Sequence, residues 1–598
     1  MLVKGEWKMN HCLIETLSPL RISSKEAVEN IDEFSSFKKY MHVERKVQKQ
    51  LFELINEAGD AQESRLILVC GSVGDGKSHL LSYFNFHYPE LMSKFYLHND
   101  ASESLDPTKT SMDILNEVLD GFSDEQLEKG EIHKVIIAIN LGTFNNFIES
   151  PYIERFKKLK EFVKQHKIVE TGIDESEILV ESPFRYINFT DYHLFTLTEK
   201  GPKSFYLDQL LMKIANQDEE NDMYIGYCET CENCSFNGKC PVQANYMLLQ
   251  HQPVRKGVID YLIKAMIKEK LIISTRDVLN FFYDAITGGM SASELMKLNG
   301  DKITEEKIIK QMRLLVWHNI FEGKERSHVL DKLSLVDPLR SMTEADKEKM
   351  LEYQFTNHIG NILKEDIKEF EESFLIHEFE SIESYMRENG DNQNSTALKI
   401  KRLAYETYKR SELFRGIIDQ DLLYMQYMKD LFYRNRGSKS QLANIYRQVQ
   451  RAVYKWDGSA DSDGIRILSS KRHNNLGIYE PVEIKPYIKE LNDQGLEVLD
   501  RFLPYLSVSF TRAGKDTPVT LDMDYTLYQL IKELNDGYLN NEEEYRKNIA
   551  FQGFIEKLLV KDDEEEQVLI FEDTSSGEVK KYKLVYDAQF EYYEFKVI

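Results

Sequence analysis

The residues best suited to chemistry stand between Gly71 and Ser78, where the sequence reads GSVGDGKS. This run fits G-x-x-x-x-G-K-[ST], a pattern whose glycines let successive backbone N–H groups turn toward a chain of phosphates. Lys77 is then placed to reach the β- and γ-phosphates, and Ser78 to ligate Mg²⁺. The residues predicted to bind ATP and Mg²⁺ are Gly71, Ser72, Val73, Gly74, Asp75, Gly76, Lys77, Ser78 and His79.

The flanks of this run favour a nucleotide site over a chance glycine-rich turn. Residues 66–70 are apolar and partly β-branched, which suits a buried strand, and an apolar helical pattern begins at His79. A helix that starts directly after such a loop adds its N-terminal end to the phosphate site.

Hydrolysis requires a carboxylate for Mg²⁺, a group that orients water, and a cation that meets the charge developing on the γ-phosphate. No strand candidate ends in four apolar residues followed by Asp-Glu. Asp100, which closes FYLHND, is the nearest candidate for the metal carboxylate, with Glu103 as a helper. Asp100 follows Ser78 by 22 positions, a spacing that equally fits a turn residue ending a strand beside the loop strand.

Two other polar residues are candidate catalytic groups. Asn140 ends the apolar run VIIAI, where its side chain can reach the γ-phosphate or the attacking water, or can simply begin a turn. Arg276 lies in STRDVLNF, where Ser274 is predicted to be a helix N-cap. AAA+ ATPases present an arginine to the phosphates from a similar Ser-x-Arg element in a helical lid. The alternative for Arg276 is a surface ion pair.

Four of the six cysteines stand in one segment with the pattern C-x₂-C-x₂-C-x₅-C-P. Four thiolates suit tetrahedral Zn²⁺ in a structural role, because the protein supplies every ligand. A 4Fe-4S cluster is the alternative, since the bacterial ferredoxin run differs only in its last spacer. Cys12 and Cys70 are interpreted as ordinary buried thiols. The predicted metal ligands are Cys228, Cys231, Cys234 and Cys240.

The elements that must position these residues alternate between strands and helices. Helical patterns cover residues 36–58 and 111–122, and more of them run from about 250 to 436. Short alternating runs at 502–510, 567–571 and 578–585 indicate an α+β region near the C-terminus. Four strand candidates precede the cysteine segment, at residues 66–70, 94–100, 135–139 and 185–189.

This alternation predicts an α/β fold: an AAA+-like P-loop NTPase with a parallel sheet, a helical lid, a Cys-rich metal insertion, and a C-terminal helical plus α+β region. The predicted parts are a P-loop NTPase core with an N-terminal helix (1–220), a Cys-rich metal-binding segment (221–248), a helical lid (249–345), a helical and locally basic domain (346–480), and a C-terminal α+β domain (481–598).

Composition limits the remaining possibilities. At 598 residues the chain is too long for one core, and a net charge of −24 argues against a protein that coats nucleic acid. The first 20 residues lack a signal-peptide pattern, and no apolar run is long enough to cross a membrane. Clustered cysteines favour a metal site in a reducing compartment over disulfides, so a cytoplasmic protein is expected.

Residues 399–472 are locally basic, with 16 Lys and Arg against 8 Asp and Glu. Such a surface can contact DNA phosphates or dock on an acidic partner. The basic residues singled out are Arg434, Arg436, Lys439, Arg447, Arg451 and Lys455, with Tyr446, Tyr454 and Trp456 between or beside them.

Six runs, in order along most of the chain, together resemble the DptF family: CGSVGDGKSHLLSYF, FYLHNDASES, VIIAINLGTF, FRYINFTDYH, the cysteine segment ending CPVQANYMLL, and LIISTRDVLNFFYD. These proteins are ATPase-like components of bacterial DNA phosphorothioation-dependent restriction systems. The resemblance implies a cytoplasmic defence protein that works with other subunits, including a separate larger ATPase, against DNA lacking the sulfur modification. The absent Asp-Glu motif departs from what fast, independent hydrolysis requires.

Three functional hypotheses follow. The chain is an ATP-dependent motor or loader in a DNA restriction complex, a slowly hydrolysing nucleotide-gated switch, or a redox-sensing ATPase if the cysteines hold an iron–sulfur cluster. No PD-x-(D/E)-x-K or HNH pattern occurs, so DNA cleavage is expected of a partner.

Overall fold

The structure, a computed structural model, describes residues 12–21, 35–99, 109–169, 178–179, 181–302, 304–389, 395–419, 421–456, 464–466, 476–491, 499–513, 517–560, 568–573, 580–587 and 589–597. The chain divides into two compact units. One comprises Met1–Thr196 and Lys203–Asp419, and the other comprises Leu197–Pro202 and Gln420–Ile598. The five-part division made from the sequence stays a prediction.

A four-stranded parallel sheet organises the first unit, which confirms the expected α/β class at this level. Its strands are β1 Arg65–Gly71, β2 Tyr96–His98, β3 Lys134–Asn140 and β4 Phe184–Asn188. They lie in the order β2-β3-β1-β4, so β3 separates β2 from β1. Parallel strands place their carboxyl ends at one edge of the sheet, and in open α/β sheets ligands bind there.

Helices cover both faces of this sheet, and β1 contributes side chains to the apolar cluster on each face. Leu68 of β1 belongs to one apolar cluster with Phe144, whereas the neighbouring residue Val69 belongs to another with Phe84. A strand buried on both faces needs apolar side chains at successive positions, which explains the unbroken apolar run of β1. The helices of this part are Leu13–Thr16, Ser36–Met41, Lys46–Asp60, Lys77–His87, Pro89–Met92, Ser111–Val118, Asp124–Lys129, Leu141–Ile148 and Lys157–Gln165.

The prediction of one continuous helical pattern over residues 36–58 is wrong. The structure has two helices, Ser36–Met41 and Lys46–Asp60, separated by a stretch in which His42 and Arg45 adopt extended backbone angles. Both side chains bond to distant parts of the chain near the glycine-rich run, and these contacts hold the backbone out of the helix.

The rest of the first unit is mainly helical. No helix within the described residues is long and apolar enough to cross a membrane. Its helices are Phe205–Ala215, Asp222–Cys231, Pro241–Leu248, Gln252–Lys268, Thr275–Thr287, Ala292–Gly300, Glu305–Arg313, Val316–Glu322, His328–Leu335, Glu344–Phe355, Ile359–Asp366, Ser373–Asn389 and Ser395–Ser411. The short strands β5 Tyr192–Thr198 and β6 Gly201–Lys203 precede these helices in the sequence, and the division between the two units falls within each of these strands.

The second unit combines helices with antiparallel strands. The helices of this unit are Leu422–Arg436, Lys439–Lys455, Tyr525–Asn535, Glu542–Lys547 and Ile549–Leu559. Its strands are β7 Ile465–Arg466, β8 Leu476–Glu480, β9 Ile484–Pro486, β10 Leu499–Arg501, β11 Leu506–Arg512, β12 Val519–Met523, β13 Val568–Asp573, β14 Lys580–Asp587 and β15 Tyr592–Val597. One sheet has the strand order β12-β11-β9, and another has the order β15-β14-β13-β8-β7.

Candidate functional site

The glycine-rich loop, residues 71–78, joins the end of β1 to the helix Lys77–His87. Gly74 and Gly76 have φ angles of +84° and +94°, in the left-handed region that costs other residues about 1–2 kcal/mol. Gly74 also lies so close to Ser274 that an added Cβ would come within 2.7 Å of its side chain. The loop therefore needs glycine at position 74 both for its backbone angle and for its contact with the helix Thr275–Thr287.

Two contacts hold the glycine-rich loop in its curled shape. The Ser72 N–H donates to a carboxylate oxygen of Asp75 at 2.5 Å, and the Lys77 ammonium donates to the Ser72 carbonyl at 2.5 Å. Burial raises the pKa of Asp75, while the Ser72 N–H and the Lys77 charge act in the opposite direction. A phosphate entering the loop would give the Lys77 ammonium an anionic acceptor in place of a neutral carbonyl.

The hydroxyl of Ser78 donates to the side-chain oxygen of Asn99 at 3.0 Å. Asn99 directly follows β2, and β2 pairs with β3, so the FYLHND strand does not lie beside β1. Asp100 and Glu103, the predicted carboxylates, lie outside the described residues.

Asn140 stands at the end of β3, directly opposite Gly71 in the strand register. Its side-chain oxygen accepts the Gly142 N–H at 2.8 Å and caps the helix Leu141–Ile148. Asn140 also lines the cavity above the glycine-rich loop. The two interpretations of this residue are therefore compatible, because the turn it begins lies at the loop.

The predicted N-cap at Ser274 is confirmed. Its hydroxyl accepts the Asp277 N–H at 3.2 Å, and the Asp277 carboxylate accepts the Ser274 N–H at 3.0 Å. This reciprocal pair fixes the start of the helix Thr275–Thr287 against the loop. Arg276, in its first turn, lines the same cavity as Lys77, and the buried Nε of Arg276 has no hydrogen-bond partner among the residues that the structure describes. An anion in the cavity would provide that partner.

The sequence interpretation missed Arg45, which lies in the break between the first two helices. Its guanidinium donates to the Asp75 carbonyl at 3.2 Å and to the Tyr192 carbonyl at 3.0 Å, and it lies 5.2 Å from the ring centroid of Tyr206. No local spacing marks such a residue, because its partners are distant in the sequence.

Apolar and aromatic residues also line the cavity. A cavity with both polar and apolar lining suits a ligand that combines phosphates with a flat ring. These residues come from three separate stretches of the chain: Phe37, Met41, Val43, Tyr206, Leu210 and Leu279.

His79, predicted to bind nucleotide, lines the cavity and pairs with a second histidine. A ring nitrogen of His79 lies 3.0 Å from one of His42, and the His42 ring stacks on Tyr83 with centroids 4.1 Å apart. Burial, followed by repulsion from neighbouring cationic groups, lowers the pKa of both histidines to about 4. The pair is therefore neutral near pH 7.

The four predicted metal ligands lie on and around two helices. Cys228 and Cys231 stand in the helix Asp222–Cys231, and Cys240 caps the helix Pro241–Leu248. Among the described residues, no three of the four sulfur atoms lie within 4.8 Å of one another. Burial raises the pKa of Cys231 to about 12 and that of Cys240 to about 11, so thiolates here require a cation.

A different group, without cysteines, does have metal-like spacing within the described part of the chain: His318, Glu322 and Glu406. The Arg410 guanidinium donates to His318 at 2.8 Å and to Glu322 at 2.6 Å. A protein cation therefore already balances these carboxylates, and the group is an internal ion-pair network.

Only some side chains of the basic segment, residues 399–472, are exposed at the surface. Arg434 donates to the Ser507 carbonyl, and Arg436 is 5% exposed, so neither is free to contact DNA. The interpretation of the aromatic residues Tyr446, Tyr454 and Trp456 as part of a contact surface is wrong, because they pack or bond inward. The basic side chains exposed on the helix Lys439–Lys455 are Lys439, Arg447 and Arg451.

None of the protein-family models, curated proteins or solved structures compared with this chain matches it. Its function is therefore inferred from its own residues and geometry.

The histidine pair predicts that the free energy of unfolding falls as the pH drops from about 6.5 to about 4. In that window the unfolded chain binds protons on His42 and His79 that the folded chain does not, because both folded pKa values are near 4. His42→Phe, which keeps a ring against Tyr83, should reduce the loss of stability between pH 7.5 and pH 4.5. Urea unfolding at both pH values measures this change in the free energy of unfolding. The control is His133→Asn, which removes a histidine at the surface. Equal losses in wild type and His42→Phe would contradict the assignment.

Proposed function

We propose that this chain is a P-loop NTPase of the AAA+-like class that binds Mg·ATP at the glycine-rich loop. The observation that carries the proposal is the convergence of Lys77, Ser78 and Arg276 on one cavity, where the buried Nε of Arg276 lacks a hydrogen-bond partner among the described residues. Arg276 comes from a part of the chain distant from Lys77 and Ser78, and together the three residues match what a polyphosphate with a bound cation requires. The apolar side chains that line the same cavity suit the nucleobase.

The order of the sheet supports a hydrolytic site around the same loop. Since β3 lies between β1 and β2, the strand ends that carry Asn140 and Asn99 both face the loop edge of the sheet. In this proposal Ser78 ligates Mg²⁺, and Asp100, one residue past Asn99, supplies its carboxylate. Asn140 orients the attacking water, and Arg276 meets the charge that develops on the γ-phosphate.

A slowly hydrolysing, nucleotide-gated switch is the second candidate, and a specific observation favours it. The partner of Ser78 is the amide of Asn99, not a carboxylate. Among the described residues that line the cavity, Asp75 is the sole carboxylate, and the Ser72 N–H holds it. Tight binding with slow turnover would let the nucleotide regulate partners.

We further propose that the chain acts as the ATP-binding subunit of a cytoplasmic, phosphorothioation-dependent restriction complex directed at unmodified DNA. The resemblance to the DptF family supports this, together with the exposed cations Lys439, Arg447 and Arg451, which suit weak contact with phosphates. Other subunits, including a separate larger ATPase, supply the remaining DNA affinity and the cleavage. The switch hypothesis differs in requiring no direct DNA action.

Lys77→Ala should lower the affinity for Mg·ATP by about tenfold or more, because it removes the ammonium that meets the β- and γ-phosphates. Isothermal titration calorimetry with a non-hydrolysable ATP analogue measures the change. Lys94→Ala, a lysine in a surface ion pair with Asp60, is the matched control and should bind like wild type. Unchanged affinity in Lys77→Ala would refute the nucleotide site.

Asp100→Ala and Arg276→Ala should lower kcat far more than they lower ATP affinity, because their interactions strengthen as charge develops on the γ-phosphate. Steady-state phosphate release and calorimetric binding separate the two effects. Arg313→Ala, which removes a partly exposed guanidinium from the ion-pair network, controls for the loss of a cation. Normal turnover in both variants would place the catalytic groups elsewhere, as would equal losses of binding and turnover.

The DNA contact is testable in cells that carry the complete restriction system. Simultaneous Lys439→Glu, Arg447→Glu and Arg451→Glu should abolish restriction of unmodified plasmid DNA while ATP binding stays intact. Lys157→Glu, Lys158→Glu and Lys160→Glu change three exposed lysines by the same charge and should restrict normally. Full restriction by the first triple variant would exclude the helix Lys439–Lys455 as a DNA surface.

A further inference from the structure

The strand β15, Tyr592–Val597, lies at one edge of the five-stranded sheet in the second unit. It pairs antiparallel with β14, residue for residue from Tyr592 to Val597, without a bulge. Among the described strands, none pairs with its other side. A regular edge strand carries backbone N–H and C=O groups that can bond to a further strand. The proline, glycine or bulge that would discourage such pairing is absent from β15.

One face of β15 is apolar and exposed. Tyr593, Phe595 and Val597 stand at alternate positions, so they share one face of the sheet. Phe595 packs on Phe571 of β13 with ring centroids 5.1 Å apart, yet 60% of Phe595 and 79% of Val597 remain exposed. A contiguous row of exposed apolar side chains marks an interaction surface. Half-buried apolar residues continue the same face across β14 and β13: Tyr582, Leu584, Tyr586, Leu569 and Phe571.

The other face of β15 carries one acid and one base. Glu594 and Lys596 stand two positions apart, and the Lys596 ammonium lies 2.9 Å from the Glu594 carboxylate. Both side chains are about half exposed to solvent. A lysine on an edge strand normally discourages pairing with a neighbouring strand. Here the adjacent carboxylate offsets the charge of Lys596, so the edge has no net charge of its own on this face.

These two faces make β15 complementary to a second β15 strand. When two copies pair antiparallel about Phe595, Glu594 of each copy lies opposite Lys596 of the other, and Tyr593 lies opposite Val597. The apolar face then meets apolar side chains, and every charge on the other face meets its opposite. Cross-strand pairs of both kinds stabilise an antiparallel sheet.

Other registers lose this complementarity. A shift of two residues in either direction places Glu594 opposite Glu594, or Lys596 opposite Lys596. A shift of one residue places the apolar side chains on the same face as the charged ones, because residues directly opposite each other share a face. The sequence of β15 therefore favours the single register that is centred on Phe595.

We propose that two copies of this chain associate through their β15 strands, which pair antiparallel about a twofold axis at Phe595. The interface is isologous, since Glu594 of each copy contacts Lys596 of the other. It continues the five-stranded sheet from one copy into the next and pairs the outer backbone groups of β15. Because the paired segment is short, the dimer dissociates on dilution.

This association is independent of the proposed nucleotide site. The residues that line the nucleotide cavity belong to the first unit, whereas β15 belongs to the second. Loss of ATP binding in a variant of the glycine-rich loop therefore leaves the dimer intact, and loss of the dimer leaves ATP affinity unchanged.

Sedimentation velocity of the full chain over a range of concentrations tests the proposal. The wild-type protein should shift from monomer to dimer as its concentration rises. Glu594→Lys and Lys596→Glu should each raise the dissociation constant of the dimer by about tenfold or more, because each places like charges opposite one another on both sides of the axis. The control is Glu543→Lys, which reverses one member of the exposed ion pair with Lys547 and should dimerise like wild type.

Mixing the two variants tests the register itself. A mixed dimer sets the two lysines of the Glu594→Lys copy opposite the two glutamates of the Lys596→Glu copy, so an equimolar mixture should recover the wild-type dissociation constant. The chain with both substitutions should also dimerise like wild type, because it only exchanges the two charges. Recovery in either case shows that the single variants are folded.

Hydrogen exchange locates the contact in the wild-type protein. The backbone amides of β15 should exchange more slowly as the protein concentration rises, because pairing with the second copy protects them.

Four results would overturn the proposal: a wild-type chain that stays monomeric at every concentration, single variants that dimerise as tightly as wild type, a mixture that does not recover the dimer, or exchange in β15 that does not depend on concentration.

Discussion

The close approach of the glycine-rich loop to the helix Thr275–Thr287 is the constraint on which the candidate nucleotide site depends. It requires the absence of a side chain at Gly74, and the Ser274–Asp277 capping pair fixes the opposing surface. With those two features in place, Arg276 enters the same cavity as Lys77, although nearly two hundred residues separate them in sequence. A change that pushed the two surfaces apart would leave the glycine-rich loop intact but would move Arg276 away from it.

Local chemistry explains what the sequence could predict. The loop, the strand before it and the helix after it follow from a contiguous pattern, and the cap at Ser274 follows from an N-cap residue with an acid three positions later. The interruption at His42 and Arg45 had no such signal, because their partners are Asp75, Tyr192 and His79. Long-range hydrogen bonds override helical periodicity there, and they also create the cation that the sequence interpretation missed.

Composition alone could not separate surface from core in the basic segment. A helix with Lys and Arg between aromatic residues has the same composition whether the rings face solvent or the interior. In the helix Lys439–Lys455 the rings of Tyr446 and Tyr454 turn inward and the cations Arg447 and Arg451 remain outside.

The charged residues that line the cavity are mainly cationic, whereas the chain as a whole is acidic. Among the described residues that line it, Lys38, Arg45, Lys77 and Arg276 are cationic and Asp75 alone is acidic, in a protein with a net charge of −24. The Arg45 guanidinium contacts the Asp75 carbonyl, so part of this cationic set stabilises the loop even before a ligand binds. Cations gathered in a concave site repel one another unless an anion is bound there. The acidic surface elsewhere on the protein would attract anions poorly. The excess of cations over acidic groups in the cavity therefore supports the proposal that it binds a polyphosphate.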